Sequence, residues 1–216
     1  VNVLLVMGDE LEPEIRRKML PIMGRAHLGA PGARPGGDRI KIAGIAARQA
    51  LATGEAESFR QIMQVINDEI RFSTGDRGMQ HDYSFHHRID RVNNTVSYGL
   101  GYAQAFAEWA GYVEGTRYAF SADLVEMLVD YYLDGICKQM VYGIYTDKGV
   151  KNRSISRPER FGPAGTSIPR ALMRVTDYRN DELEEIIRLR RGEEEPSLSY
   201  SKFFWQSEHF VCQRPD

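Results

Sequence analysis

"SYGLGYAQAFAEWAGYV", residues 97–113, decides the fold class. Its residues Tyr98, Tyr102, Ala105, Phe106, Trp109 and Val113 recur at spacings of three and four, so they share one face of a helix. The same spacing runs through 55–70, where Phe59, Ile62, Met63, Ile66 and Ile70 form a stripe and Thr53 or Gly54 is placed to cap it. Shorter helical stretches at 12–24 and 40–53 flank "GAPGARPGGD" (29–38), which is too rich in Gly and Pro to stay helical. Downstream, "SADLVEMLVDYYLDGICKQMV" opens at a cap, Ser121, and reads as one helix to Val141. A polar loop covers 143–169 and a charged helix 181–191. Beyond "GEEEPSLS" the character changes, and "FFWQSEHFVC" (203–212) alternates as a strand does. The helix pairs recur too irregularly for a simple repeat family. The pattern is of paired helices with loops between them, ending at the first strand of a β-rich domain.

Composition narrows the classes. With 216 residues, 42% hydrophobic and 27% charged, the chain can bury a sizeable core. A net charge of −2 gives no reason to expect nucleic acid or an anionic membrane as partner, although arginines cluster at 152–160. Cys137 and Cys212 lie far apart and form neither a metal-type pair nor a disulfide framework. No apolar run approaches the ~18 residues of a membrane span. No signal peptide is visible, but Val1 reads as mid-domain, so a signal is expected upstream of it if the protein is exported.

The segment leading into the helix at 97–113 is of another kind. "DYSFHHRIDRVNNTVSYG" (82–99) lacks periodicity and concentrates two histidines, two arginines, two asparagines and two tyrosines. A solvated loop has no need of so many groups that move protons or hold anions. His81, His86 and His87 do not make a metal set, because no Glu or Cys completes a familiar ligand spacing. Adjacent side chains point in different directions, so one of His86 and His87 is expected to be structural.

Together with "NRSISRPERFG" (152–162) and "FFWQSEHFVCQRP" (203–215), this segment resembles polysaccharide lyase family 8, the chondroitin AC, hyaluronate and xanthan lyases. The family carries Asp-x-Ser-Phe/Tyr, a histidine, and Tyr-Gly opening a helix. It later carries Gly-Arg-x-Ile/Val-Ser-Arg-Pro, matched here from Asn152 to Pro158, and an aromatic-Trp strand ending in Arg-Pro. The resemblance covers about residues 36–216. It implies an incomplete α/α toroid over 1–192, then a linker and the start of a β-sandwich over 193–216, the rest of that sandwich being expected elsewhere in the same enzyme. It also implies a secreted or periplasmic bacterial protein acting on an acidic polysaccharide without an organic cofactor.

The chemistry fits those residue types. A lyase removes the C5 proton of a uronic acid and breaks the bond at C4. The neighbouring carboxylate already carries charge, so the site must neutralise it and stabilise the enolate-like charge that develops. A tyrosine can be both base and acid if nearby cations favour its ionised form, and arginine stays charged while offering planar donors to carboxylates. The resemblance gives Tyr98 the base and acid role, puts His87 or His86 beside the reacting carbon, and sets Arg153 and Arg157 around tyrosine and sugar. Each has a plainer reading. Tyr98 lies on an apolar stripe, Arg153 and Arg157 could be surface ion-pair partners, and Trp205 is either strand core or a platform for sugar stacking. Trp109 reads as core.

The sequence departs from the family in three respects. The histidine-to-tyrosine interval is longer by about two residues, which leaves the choice between His86 and His87 open. Asp38 stands where the family has the asparagine that neutralises the uronate. An ionised Asp38 would repel a uronate, so either it holds a proton, or Arg39, Asn93 or Asn94 takes over, or the substrate is not a glycosaminoglycan. The family's glutamate and second asparagine are expected beyond Asp216. The function expected is β-elimination on chondroitin or hyaluronan, or on alginate, glucuronan or another uronan. Two rivals remain: a non-catalytic glycan-binding toroid, and a glycoside hydrolase that would need two carboxylates, for which Asp38 and Asp82 are the loop candidates.

Overall fold

The computed structural model describes residues 2–73, 76–151, 161–197 and 199–214. The chain is mainly α and divides into two compact units at Glu69 and Ile70.

The first unit holds α1 (Asn2–Met7), α2 (Pro13–Met23), α3 (Gly37–Thr53) and α4 (Ala56–Asp68). Its centre is the α3–α4 pair. Small residues Ala43, Gly44, Ala47 and Ala50 on α3 leave room for Phe59, Met63 and Ile66 of α4. Each of those three side chains contributes about 1.5–3 kcal/mol by leaving water. The helix α3 begins at Gly37, so Asp38 sits in its first turn rather than in the preceding loop, where a carboxylate suits the positive end of the helix dipole. Gly54 does not cap α4. It ends α3 in the left-handed conformation, φ 74°, with its N–H donating to the Ala50 and Leu51 carbonyls, and Glu55 precedes α4 instead.

The second unit begins with a small sheet, β1 (Phe72–Ser73) parallel to β2 (Gly78–Gln80), which is antiparallel to β3 (Phe85–His86). Two helices, α5 (Leu100–Val113) and α6 (Ala122–Asp130), follow. Then come the short pair β4 (Met140–Val141) and β5 (Tyr145–Thr146), α7 (Ser167–Leu172), α8 (Asn180–Arg191), and the hairpin of β6 (Tyr200–Phe204) and β7 (His209–Gln213). The stretch expected to alternate as a single strand thus turns back on itself at 205–208.

Two expected helices are interrupted by wide turns. Residues Thr95–Gly99 form a π-helical turn ahead of α5, and Tyr131–Ile136 form another after α6, so the helix expected to run to Val141 stops regular winding at Asp130. The two turns approach each other closely. A Cβ on Gly99 would collide with the Tyr131 hydroxyl and lie 2.8 Å from Phe85 Cβ. Gly135 is pressed in the same way against the Tyr83 carbonyl, where a Cβ would also meet Tyr83 Cβ at 3.0 Å. Below them Phe85, Tyr102 and Tyr131 pack as a buried aromatic cluster, with centroids 5.3–6.4 Å apart.

One buried cation ties the far side of this unit. Arg190, 7% exposed, donates to the carbonyls of Gly143 and Gly165 at 2.8 Å and to the Tyr132 hydroxyl. Its remaining donor faces Cys137 Sγ and Met140 Sδ at 3.5 Å.

Two glycine substitutions should move stability in opposite directions. Gly111 lies inside α5 with nothing within 4 Å of a Cβ, so Gly111→Ala should stabilise by about 0.5–1 kcal/mol through helix propensity. Gly135→Ala forces the wide turn off Tyr83 and should destabilise by about 1–3 kcal/mol. Urea denaturation of the two variants beside the parent measures both.

Candidate active site

The site is built on residues 81–99, and its first fixed point is Asp82. This carboxylate is 5% exposed. Its Oδ1 accepts from the backbone N–H and the hydroxyl of Ser84, at 2.9 and 2.7 Å, closing a local turn. Its Oδ2 accepts the backbone N–H of Gln206 at 2.6 Å. The β6–β7 turn is thereby fastened to the histidine loop, and Arg91 Nε donating to the Gln206 carbonyl at 3.2 Å adds a second tie. Both Asp82 oxygens are occupied within the fold, an arrangement that suits a structural carboxylate rather than a catalytic one.

Strand geometry then separates the two histidines. His86, on β3, is fully buried, with Nε2 3.0 Å from the Ser207 hydroxyl. Burial pushes its pKa below the ordinary imidazole value of 6.5, with Asp82 opposing that shift and Arg91 adding to it. His87 follows the end of β3 and its ring lies elsewhere. It is half-buried, and its ring lies flat on the Tyr98 ring, with centroids 3.5 Å apart and an angle of 2° between planes.

Tyr98 reaches that position because its turn is wide. Gly99 N–H donates to the Asn94 carbonyl at 3.0 Å, an i to i+5 bond, and Val96 leaves helical geometry at φ −90° and ψ 18°. A wide turn adds a residue, which rotates what precedes it by roughly 100° relative to a continuous helix. Tyr98 is therefore half-buried at the surface while Tyr102, four residues on, is 1% exposed. The sequence stripe that groups Tyr98 with the core breaks at this point.

The turn itself is held from inside. Thr95 Oγ1 accepts from Phe85 N–H at 2.9 Å and from Gln139 Nε2 at 3.2 Å, and donates to Asn93 Oδ1 at 2.7 Å. Asn93 Oδ1 also accepts Thr95 N–H at 3.1 Å, and its amide donates to Gln139 Oε1 at 2.6 Å. Asn94 is buried, with its side chain donating to the Val92 carbonyl at 2.7 Å and its backbone N–H to Phe85. Both asparagines are engaged in shaping the turn. Thr95, Gln139 and Ser207, which the sequence does not single out, are the side chains that hold Tyr98 and His86 in place.

The structure thus gathers His86, His87, Asn93, Asn94 and Tyr98 in one loop, with the turn carrying Trp205 docked on it. Trp205 is 50% exposed, which removes it from the strand core and leaves its face open to a ligand. Asp38 and Arg39 belong to the first unit. There Arg39 Nε lies 3.6 Å from a carboxylate oxygen of Glu69, whose other oxygen accepts Gly36 N–H at 2.5 Å. Arg153 and Arg157 lie outside the described residues. Among the described residues, no group of three His, Cys, Asp or Glu side chains is close enough to hold a metal ion.

The scaffold is mainly α and presents a stacked imidazole–phenol pair on a wide turn. The sequence model for polysaccharide lyase family 8, N-terminal α-helical domain, matches residues 1–189, and the chain belongs to that family. It is similar to chondroitinase-AC of Pedobacter heparinus, with 27% identity over 158 residues, covering 73% of this chain and 22% of that protein. A solved chain of chondroitinase AC lyase matches it in fold, with a TM-score of 0.85 and 23% identity over 94% of this chain and 30% of that one. The chain therefore spans less than a third of the length of either.

The buried histidine should impose a pH dependence on stability. Because the folded pKa of His86 lies below the unfolded one, the unfolded chain binds more protons as acid is added. Its contribution is complete above about pH 6.5 and is lost as pH falls through the folded value. His209 is shifted down by burial in the same direction. Urea midpoints of the parent should therefore drop between about pH 7.5 and 5.5, and His86→Gln should shrink but not abolish that drop.

Proposed function

We propose that the protein containing this chain is a polysaccharide lyase that cleaves a uronic-acid-containing polysaccharide by β-elimination, with Tyr98 and His87 at the reacting carbon. The observation that carries the reading is the flat stack of His87 on a half-exposed Tyr98, in a chain of this family. In the proposed reaction Tyr98 takes the C5 proton, the C4–O bond breaks, a C4=C5 double bond forms, and the leaving oxygen receives a proton from the same phenol. No water is consumed. His87 fixes the phenol ring and borders the sugar. Arg153 and Arg157 are proposed to neutralise the uronate and favour the phenolate. Trp205 is proposed to stack on a sugar face. The chondroitinase similarity supports a glycosaminoglycan-type substrate, chondroitin or hyaluronan. Asp38 in place of an amide supports the alternative of an alginate- or glucuronan-like chain. A secreted or periplasmic location is proposed with it, because such polymers are met outside the cell.

A glycoside hydrolase on the same helices is less well supported, since Asp82, its loop carboxylate, is bound by Ser84 and Gln206. A non-catalytic glycan binder would keep the aromatic faces but have no use for the phenol hydroxyl.

Elimination is tested by incubating the full-length protein with a panel of uronans. Products should absorb in the ultraviolet as unsaturated uronates. Saturated ends carrying solvent oxygen would mean hydrolysis, and no cleavage of any polymer would favour the binder.

Tyr98→Phe removes only the hydroxyl and should lower turnover by about 10²–10⁴-fold while folding and glycan binding survive. Parental turnover in Tyr98→Phe would sink the mechanism. The two histidines should dissociate: His87→Ala should reduce turnover with little effect on the urea midpoint, whereas His86→Ala should lower the midpoint by removing the Ser207 contact. Measuring both quantities on both variants separates the roles.

A further inference from the structure

A concave groove of about 460 Å³ lies between α7 and α8 and shares no residue with the Tyr98 site. Four guanidiniums line it, from Arg170, Arg174, Arg188 and Arg191, against one carboxylate, Glu184. Arg170 sits on α7 and Arg174 in the turn that closes it, its N–H donating to the Ala171 carbonyl at 3.3 Å. Arg188 and Arg191 lie three residues apart on α8, so they share a face. Met173 and Ile187 form an apolar floor.

The four charges are only partly matched within the fold. Arg188 pairs with Glu194 at 2.8 Å and more loosely with Glu184 at 3.7 Å, and Arg191 approaches Glu193 at 3.6 Å. All of these side chains are well exposed, and such pairs are weak and easily exchanged for another anion. Among the described residues, Arg170 and Arg174 have no carboxylate within ion-pair distance. Like charges facing one concave surface repel each other and focus a positive field into it, which a bound anion relieves. Guanidiniums also match planar and tetrahedral oxyanions with paired donors.

We propose that this groove is a second binding site for an acidic polysaccharide, holding its carboxylate or sulfate groups on the arginines while a sugar face rests on Met173 and Ile187. The choice of polymer rests on the lyase reading; the cationic groove does not. An apolar floor suits the CH face of a sugar ring. A second site would keep a long polymer on the protein between cleavages.

The test is direct binding, by calorimetry, to the full-length Tyr98→Phe protein, so that no substrate is consumed. The ligands are a sulfated chondroitin polymer, its unsulfated counterpart and a neutral dextran. Arg170→Gln/Arg174→Gln in that background should weaken binding by about tenfold, whereas the exposed pair Arg17→Gln/Arg25→Gln, as a control for net charge, should change it by less than about twofold. Loss for the sulfated polymer alone identifies sulfate as the recognised group, and loss for both shows that carboxylate suffices. Dextran should not bind either protein through this groove. The proposal is overturned if the groove pair leaves binding unchanged, or if the control pair weakens it equally. A protein without lyase activity that still loses polymer binding in the groove variant would remove the lyase reading and keep the groove.

Discussion

The site depends on one carboxylate accepting three hydrogens. Asp82 closes the turn with Ser84 and reaches Gln206 in the far hairpin, which makes two distant segments a single surface. Without it the backbone N–H of Gln206 would be left buried and unpaired, an error that costs more than the bond is worth when made. His86 is fixed as a consequence, because the hairpin docked by Asp82 carries the Ser207 that meets its ring. His87, just past the end of β3, is half-buried and lies on Tyr98.

The second constraint is the meeting of two wide turns. A π-helical turn has poorer bonding than a regular helix and survives where its surroundings insist on it. Here the insistence comes from Gly99 against Tyr131, and from Thr95, Asn93 and Gln139 knitted under the first turn. The extra residue lifts Tyr98 off the buried face while its helix remains in the core. The phenol is thereby exposed on a rigid support.

Much of the helical scaffold is legible in the sequence because burial writes a three-and-four rhythm into it. Phe59, Met63 and Ile66 give α4 away. The wide turns leave no such trace. Tyr131, Tyr132, Leu133 and Ile136 look equally apolar whether the backbone bonds to the fourth or the fifth residue. The hairpin is hidden for a related reason. Its turn contains no Gly, Pro or Asn, its left-handed residue is Glu208, and the groups that hold it come from Asp82 and His86. In the candidate site, alternation along a strand shows that His86 and His87 must differ, but not which of them faces the core. That choice rests on Ser207, and no local pattern announces Ser207.

The sequence separation of these contacts also orders events during synthesis. Ser207 lies 121 residues after His86, and Gln206 lies 124 after Asp82. At ribosomal speeds of about 5–20 residues per second, the histidine loop is exposed for roughly 6–25 seconds before its partners exist. During that interval the helices on either side can pack from local contacts, while the loop waits with one oxygen of Asp82 and the His86 imidazole unmatched. Joining of the histidine loop to the hairpin is therefore gated by translation of the hairpin rather than by folding of the helices.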